Sequence, residues 1–263
     1  MHVGAPLVGA LYGARRMIQI KNLVKQFGSK TVLDDVSFDV PKGKVFFIIG
    51  VSGVGKSVLI KHLVGLLYPD RGEIWLDGED VSKFDEKRMG PVRKKCAMVF
   101  QHSTLFDSMT CAENVALPLR KHKHLNTNAA LHEARHRLEM VHIREFADRY
   151  PPELGDGVRK RVAIARALAL DPKYVLFDEP TTSLDPVNAR RVDVLIHELS
   201  SKLGVTSIVV SHDLVSTFSI AHQIVMLYQG KVRMLGTPDE FRTTQDAVVQ
   251  QFIHGSATGP IEL

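Results

Sequence analysis

Apolar and polar positions change their period several times along the chain, and the changes predict alternating strands and helices. Residues 44–49 (KVFFII), 174–177 (YVLF) and 206–210 (TSIVV) are continuous apolar runs. Such runs are typical of parallel strands that are buried on both faces. Apolar residues at helical spacing occupy 56–67 and 188–203. Strands that alternate with helices in this way predict an α/β core built on a parallel sheet.

Shorter alternating segments predict an antiparallel unit and a hairpin beside this core. Residues 17–27 and 31–40 alternate apolar and polar positions on either side of a Gly-Ser turn, and residues 72–78 alternate again. A period of two is typical of strands that bury one face. Residues 224–228 and 231–235 flank a Gln-Gly turn and predict a hairpin. We therefore expect an antiparallel β unit next to the α/β core.

The remaining segments set the expected domain limits. Residues from about 102 to 171 carry helical periodicity with few β-branched runs, which predicts a helical insert. Residues 1–16 are small and apolar and are interpreted as a disordered leader, and residues 17–241 as the folded domain. Residues 242–263 are interpreted as a C-terminal tail, with a short helix at 247–253 followed by an extended end.

Composition narrows the class of protein. The chain has 34 Lys and Arg against 29 Asp and Glu, a net charge of +5, with 44% hydrophobic and 24% charged residues. These values exclude a disordered, collagen-like or disulfide-stapled chain. The basic residues are scattered, so charge does not indicate nucleic-acid binding. No apolar run approaches the ~20 residues of a membrane span. Cys96 and Cys111 match no metal-ligand spacing, which favours reduced thiols in a cytoplasm.

One motif carries specific chemistry. Residues 50–57 (GVSGVGKS) follow a predicted buried strand, precede a predicted helix and match G-x-x-x-x-G-K-[ST]. Glycines let the backbone wrap phosphates, with N–H groups and the helix N-terminus facing the anion. We expect Lys56 to reach the β- and γ-phosphates and the Ser57 hydroxyl to bind Mg²⁺. The residues predicted to contact a nucleoside triphosphate here are Gly50, Val51, Ser52, Gly53, Val54, Gly55, Lys56, Ser57 and Val58.

Two adjacent acids end the apolar run at 174–177. Ligand chemistry in open α/β sheets lies at the carboxyl ends of the strands, which is where Asp178 and Glu179 are placed. We predict that Asp178 holds Mg²⁺, mostly through water. Glu179 is predicted to act on the attacking water, either as general base or as the group that orients it.

The order of these and later motifs resembles the ATP-binding cassette (ABC) ATPases over residues 17–241. The motifs are the phosphate loop, Gln101, LGDGV at 154–158, the two acids, Ser183-Leu184-Asp185 and His212. The resemblance implies a P-loop parallel core with an antiparallel β subdomain and a helical subdomain. It also implies that Phe27 stacks on adenine, that Gln101 touches Mg²⁺ and water, and that His212 contacts the γ-phosphate.

The resemblance further implies a homodimer in which each subunit completes the other's site. The residues expected to face the ATP of the opposite subunit are Gly155, Asp156, Gly157 and Asp185. The family pattern LSGGQ has Ser at position 155 and Gly at 156, and the missing hydroxyl removes a hydrogen bond to phosphate worth roughly 1.5–3 kcal/mol. We therefore predict slow basal ATPase activity or weak ATP-driven dimerisation, and a faster Gly155→Ser variant.

Residues 101–120 (QHSTLFDSMTCAENVALPLR) are most similar to ATPases of the bacterial Mla-type phospholipid transporters. That similarity implies phospholipid cargo, a permease dimer as partner, an MCE-domain lipid-binding protein in the assembly, and a peripheral position on the cytoplasmic face of the inner membrane. Two alternatives stay open: an importer ATPase for a small solute, and a non-transport ABC ATPase. The chain has one cassette and no heptad run, so nucleic acid is not an expected partner.

A competing motif, H-E-x-x-H, occupies residues 132–136. The pattern is that of zinc proteases, and His142 lies six residues beyond it, where a third ligand would stand. Such a site needs a glycine between the last two histidines, but Glu139 is found there. The surrounding arginines indicate a solvated helix face instead.

Overall fold

A computed structural model describes residues 16–261 of the 263-residue chain. Ten strands occur in this part: β1 (Arg16–Phe27), β2 (Lys30–Pro41), β3 (Val45–Ile49), β4 (Arg71–Leu76), β5 (Glu79–Asp80), β6 (Cys96–Val99), β7 (Tyr174–Asp178), β8 (Thr206–Val210), β9 (Gln223–Tyr228) and β10 (Lys231–Gly236). The α-helices described there are α1 (Lys56–Leu63), α2 (Glu86–Lys95), α3 (Cys111–Lys123), α4 (Thr127–Met140), α5 (Asp156–Leu168), α6 (Pro186–Leu203), α7 (Leu214–Ile220), α8 (Pro238–Thr243) and α9 (Ala247–His254). The predicted leader lies outside the described residues except for Arg16, which begins β1.

The larger sheet has the strand order β10-β9-β3-β8-β7-β6 and is parallel except for the edge strand β10. Every residue of β3 is buried, and successive side chains enter two different cores. Phe47 and Ile49 pack with the helices α3 to α6, whereas Phe46 and Ile48 pack with α1 and the smaller sheet. Because a strand projects side chains alternately to its two faces, two covered faces require an uninterrupted apolar run.

The smaller sheet is antiparallel, with the order β2-β1-β4-β5. It closes one side of the larger sheet, and the rings of Phe38 and Phe46 stack across the contact with centroids 5.4 Å apart. The α/β fold class predicted from the periodicity is confirmed, with the antiparallel unit and the hairpin β9–β10 where they were expected.

The first residues of the segment predicted to be helical, from about residue 102, are not helical in the structure. Residues 102–110 contain no helix, because the buried Asn114 side chain binds the loop backbone. Its amide donates to the carbonyl oxygens of Phe106, Met109 and Thr110 at 3.0–3.1 Å, and its oxygen accepts from the N–H of Phe106 at 2.8 Å. These bonds replace helical ones, and Thr110 then caps the start of α3.

Three helices, α2, α7 and α8, were not predicted, and one is shorter than predicted. Helix α2 buries only Met89 and Val92 among many charged residues, so its apolar periodicity is weak. The seven-residue α7 is too short to show a period. Helix α1 ends at Leu63 rather than at residue 67.

The C-terminal segment packs on its own chain. Helix α9 forms as expected and buries Val248 and Val249 in the core beside Phe241. The residues after it are not extended as predicted: they return to α9, where the Ile261 N–H donates to the Gln251 side chain at 2.6 Å. The Gln251 amide in turn donates to the carbonyl oxygens of Ser256 and Ile261.

Both cysteines are buried free thiols. Burial raises the pKa of Cys96 to about 12 and that of Cys111 to about 11, so neither is a reactive thiolate near neutral pH. Within residues 16–261, no helix combines the length and the apolar character required to cross a bilayer.

Candidate nucleotide site

The phosphate loop joins β3 to α1 and approaches neighbouring strands closely. Gly50 (φ 144°) and Gly55 (φ 107°) adopt backbone conformations that strain any residue with a Cβ. A Cβ on Gly50 would lie 2.3 Å from the carbonyl oxygen of Leu227, and one on Gly55 would lie 2.9 Å from the Leu33 side chain. The glycine spacing seen in the sequence is therefore a steric requirement of this loop.

Lys56 lies at the start of α1 and turns its ammonium group back into the loop. Its side chain is buried, and Nζ donates to the carbonyl oxygens of Gly50 at 2.8 Å and Val51 at 3.2 Å. Burial lowers the pKa of Lys56, while the nearby Glu179 and Asp178 act in the opposite direction. A buried cation at the N-terminus of a helix is suited to binding an anion.

Ser57 and Asp178 meet although they are 121 positions apart. The Ser57 hydroxyl donates to Oδ1 of Asp178 at 2.7 Å, and Asp178 is 9% exposed at the end of β7. Strand β7 is separated from β3 by β8 alone, so the parallel arrangement brings its carboxyl end to the phosphate loop. A hydroxyl and a carboxylate at this spacing offer the hard oxygen ligands that Mg²⁺ prefers.

Glu179 is held in a conformation that is uncommon for a residue with a side chain. Its φ is 53°, and its N–H donates to the carbonyl oxygen of Val210 at 2.9 Å, which ties it to β8. The carboxylate accepts a hydrogen bond from Thr182 at 2.9 Å and lies 2.6 Å from Nδ1 of His212. His212 itself is exposed. Strained residues of this kind occur most often at functional sites.

Gln101 and Phe27 lie apart from this cluster. Gln101 is exposed after β6, and within residues 16–261 its side chain makes no hydrogen bond to Asp178 or Glu179. Phe27 ends β1 with 47% of its surface exposed, and the Lys25 ammonium lies 5.4 Å from its ring centroid. An exposed ring at the end of a strand is open to stacking.

The LGDGV segment forms a second surface with the loop that precedes α6. Gly155 caps α5, and Asp156 and Gly157 are its first two residues. They line a shallow cavity together with Ser183, Leu184, Asp185 and Asn188. A Cβ on Gly157 would lie 2.6 Å from the Asn188 side chain, whereas one on Gly155 would meet nothing within 4 Å.

The acids on this second surface already have partners in the chain. Asp156 is paired with Arg159. Asp185 caps α6, accepting from the N–H groups of Val187 and Asn188 at 3.0 Å and from the Asn188 amide at 2.5 Å. Bonds from the Asn188 backbone and side chain lower the pKa of Asp185. The chain thus brings together all four residues expected to face a second subunit.

Sequence reasoning missed Lys160, which ties helix α5 to the loop that carries Gln101. It is 3% exposed on α5, and its ammonium donates to the carbonyl oxygens of Phe100 at 3.2 Å and Gln101 at 2.6 Å. Burial lowers its pKa. The sequence did contain a signal for this contact, because Lys160 falls on the apolar side of a predicted helix. A lysine is rarely buried there unless other groups bind its ammonium.

The competing H-E-x-x-H motif lies on α4. Its histidine side chains are exposed and its glutamate forms an ion pair with an arginine. His132 and His136 are exposed, and Glu133 pairs with Arg137 at 2.7 Å. Nε2 of His142 lies 3.2 Å from Glu198. Across residues 16–261, no three His, Cys, Asp or Glu side chains converge as a metal-binding group.

Comparison with known proteins decides the family. The sequence model of the ABC transporter family matches residues 33–182, which include the phosphate loop, LGDGV and both acids. The chain belongs to the ABC transporter family. It is an ABC ATPase, and the resemblance noted from its motifs is confirmed.

Individual relatives agree with this assignment. The chain is 39% identical over 247 residues to the intermembrane phospholipid transport system ATP-binding protein MlaF of Haemophilus influenzae, covering 94% of each protein. It is 36% identical to the probable ribonucleotide transport ATP-binding protein mkl of Mycobacterium leprae, covering 93% of this chain and 70% of the relative. Among solved structures, the ATP-binding cassette MJ0796, dimeric and bound to ADP and Pi, superposes with a TM-score of 0.77 at 30% identity, covering 84% of this chain and 99% of that one.

Proposed function

We propose that this ABC ATPase hydrolyses ATP with its phosphates in the loop 50–57 and Glu179 acting on the attacking water. The proposal rests on the convergence of Lys56, Ser57, Asp178, Glu179 and His212 at the carboxyl edge of the larger sheet. In this arrangement, Lys56 neutralises phosphate charge. The Glu179 carboxylate accepts the water proton, and the contacts of its Oε2 with Thr182 and His212 orient it.

Mg²⁺ fits the donor set at this edge. Ser57 Oγ and Asp178 Oδ1, 2.7 Å apart, supply the oxygen ligands, and Gln101 is the proposed further contact. The ion would supply charge neutralisation between the β- and γ-phosphates. Gln101 is exposed on a loop that Lys160 holds by its backbone, so its side chain is free to turn towards the site.

A second copy of the chain completes the site in this proposal. Gly155, Asp156 and Asp185 are exposed and line one cavity together with the buried Gly157. The helix α5 that begins there presents backbone N–H groups and a positive dipole end. Within residues 16–261, no hydrogen bond or ion pair joins these four residues to the chain's own phosphate loop. ATP held by one copy would therefore be contacted by the LGDGV segment of the other, as the dimeric state of the MJ0796 relative suggests.

We further propose that the cargo is phospholipid. The support is the 39% identity to MlaF over 94% of the chain. The proposed assembly is a homodimer on the cytoplasmic face of the inner membrane, bound to a permease dimer and associated with an MCE-domain lipid-binding protein. ATP-driven closure and opening of the cassette dimer would move the permease.

Transport of a small solute is the second candidate. It is favoured by the relative mkl, whose name specifies ribonucleotide transport and whose identity to this chain is 36%. The two candidates share the nucleotide site and differ in the permease and in the cargo-binding partner.

The deciding experiment is mass spectrometry of proteins and lipids that co-purify with the tagged full-length chain from detergent-solubilised native membranes. A permease, an MCE-domain protein and bound phospholipid support the lipid assignment. A permease with a solute-binding protein overturns it while retaining the ATPase. Absence of any membrane partner overturns both transport candidates. The Lys56→Ala variant is the matched control, because assembly with the permease should not depend on bound ATP.

A further inference from the structure

A polar cluster around the buried Asp193 and Ser216 is not used by the mechanism above. The Asp193 side chain is 3% exposed and lies 2.7 Å from Nη1 of Arg190. The Ser216 hydroxyl is within 3.0 Å of Oδ2 of Asp193 and 2.7 Å of Oδ2 of Asp213. Nη2 of Arg190 donates to the same Asp213 oxygen at 3.0 Å and to the Ser216 hydroxyl at 2.9 Å. Four side chains therefore form one closed network.

The network connects segments that carry different parts of the site. Arg190 and Asp193 are on α6, whose first turn is capped by Asp185. Asp213 directly follows His212 and caps α7, which carries Ser216. Thr181, two residues after Glu179, lies 3.4 Å from the same Asp213 carboxylate. The cluster thus joins the Glu179 loop, the His212 loop and the helix that begins at Asp185.

The charges make this junction costly to break. Two carboxylates share one guanidinium and one hydroxyl, and Asp193 lies deep enough that burial raises its pKa to about 6. At neutral pH both acids are charged, so removing the arginine would leave two anions facing each other across Ser216. Removing one member of a buried charged network is far more disruptive than losing an exposed ion pair.

We propose that Arg190, with Ser216, is a positioning residue that couples the His212 segment to the Asp185 surface. Displacement of His212 towards a bound γ-phosphate is then transmitted through Asp213 and Arg190 to α6. Arg190 lies five residues after Asp185 on a rigid helix, roughly 7.5 Å along the axis. This inference rests on the proposed function, because it assumes that His212 meets nucleotide and that Asp185 faces a second copy.

Arg137 offers a matched control. It is 12% exposed and also holds two carboxylates, Glu133 and Asp171, each at 2.7 Å. It lies on α4 in the helical segment, and neither partner belongs to the three loops above. Arg190→Gln and Arg137→Gln each remove an arginine that holds two carboxylates, although Arg190 is more exposed, at 37%, and its partner Asp193 is more deeply buried. Only Arg190 lies at the junction.

The experiment measures kcat and KM of the purified full-length variants, and ATP-dependent dimerisation of each in a Glu179→Gln background. Arg190→Gln is expected to lower kcat about 10-fold and to weaken dimerisation by a similar factor, with nucleotide binding to the single chain changed less than 2-fold. Ser216→Ala should show the same pattern more weakly, and Arg190→Lys should restore part of the activity. Arg137→Gln should lower the Tm comparably while leaving kcat within 2-fold.

A double-mutant cycle separates positioning from general destabilisation. If Arg190 acts through His212, then Arg190→Gln will cause no further loss of kcat in a His212→Ala background, whereas independent effects multiply. Equal losses of kcat in Arg190→Gln and Arg137→Gln, or multiplicative losses in the cycle, would overturn the proposal. If Arg190→Gln does not fold, Ser216→Ala takes its place in the cycle. If the wild-type chain does not dimerise with ATP, the proposed two-copy site is rejected instead. The double-mutant cycle on kcat still tests whether Arg190 acts through His212.

Discussion

The phosphate-loop region and the LGDGV surface both contain charged residues, but these residues are buried in the first region and exposed in the second. Around the loop, Lys56 and Asp178 are buried: Lys56 binds backbone carbonyls of the loop itself, whereas Asp178 binds Ser57 across 121 positions of sequence. On the LGDGV surface, Asp156 and Asp185 are exposed, and their described contacts are with residues two or three positions along the chain. One region is assembled by the tertiary fold, and the other is a local structure that faces outward.

The difference in burial indicates whether each region is complete within one chain or needs a second molecule. The buried region has its charges balanced within one chain, so its geometry is set before any ligand arrives. On the exposed surface the carboxylates serve as a helix cap and a local ion pair, which leaves the helix N-termini and Gly155 facing outward. Such a surface fits a function that is completed by a second molecule.

The largest effect is expected from Glu179→Gln in the buried region. The amide cannot accept a proton, so kcat should fall at least 100-fold, while ATP affinity should stay within about 2-fold because the substitution is isosteric and leaves Lys56 in place. Phosphate release and equilibrium binding of labelled ATP measure the two quantities. A variant that hydrolyses ATP at the wild-type rate would show that another group acts on the water.

Gly157→Ala tests the exposed surface. Its Cβ would lie 2.6 Å from Asn188 and must displace the residue that binds Asp185. Overpacking of this kind costs about 1–3 kcal/mol, so we expect ATPase activity to fall about 10-fold without loss of nucleotide binding to the isolated chain. Gly155→Ala is the matched control, since its Cβ would meet nothing within 4 Å. Equal losses in the two variants would argue against the Asn188 contact as the cause.

Gly155→Ser should act in the opposite direction on the same surface. Position 155 caps α5 with φ −69° and ψ 159°, and it has no side-chain cap bond. A serine fits the open space, can cap the helix and offers a hydroxyl to phosphate. We expect kcat or ATP-dependent dimerisation to rise several-fold, measured against Gly155→Ala. No change in either would mean that the missing hydroxyl does not limit turnover.

At the junction between the two regions, the expected effect is on stability, not on activity. Burial raises the pKa of Asp193 to about 6, above its value of about 3.9 in an unfolded chain. The folded protein therefore holds this proton more tightly, which contributes stability that is fully present below about pH 4 and lost as pH rises to about 6.

The free energy of unfolding of the wild type should consequently fall between pH 4 and pH 6 relative to that of Asp193→Asn, which has no proton to lose there. Above pH 7 the difference should be constant. Urea unfolding of both proteins at several pH values measures this difference, in which the contributions of other carboxylates largely cancel. Parallel curves across the range would show that Asp193 does not titrate in this window.

Most of the core was predictable because its signals are local. The buried strand β3, the phosphate loop and the acids at the end of β7 lie in short segments, where an apolar run and a glycine spacing have one straightforward interpretation. The helical start predicted near residue 102 was wrong because one side chain, Asn114, captures the loop backbone. The roles of Gln101 and Phe27, like those of the other predicted site residues, stay predictions.

The sequence by itself determined the alternation of buried strands and helices, the nucleotide loop and the family, since each depends on residues close together in the chain. Only the tertiary structure decided which distant groups meet: Ser57 with Asp178, Lys160 with the Gln101 backbone, and Arg190 with Asp213. These contacts join residues that are 23 to 121 positions apart. No periodicity spans such separations, because they are set by the order of strands in the sheet and by the packing of helices against it.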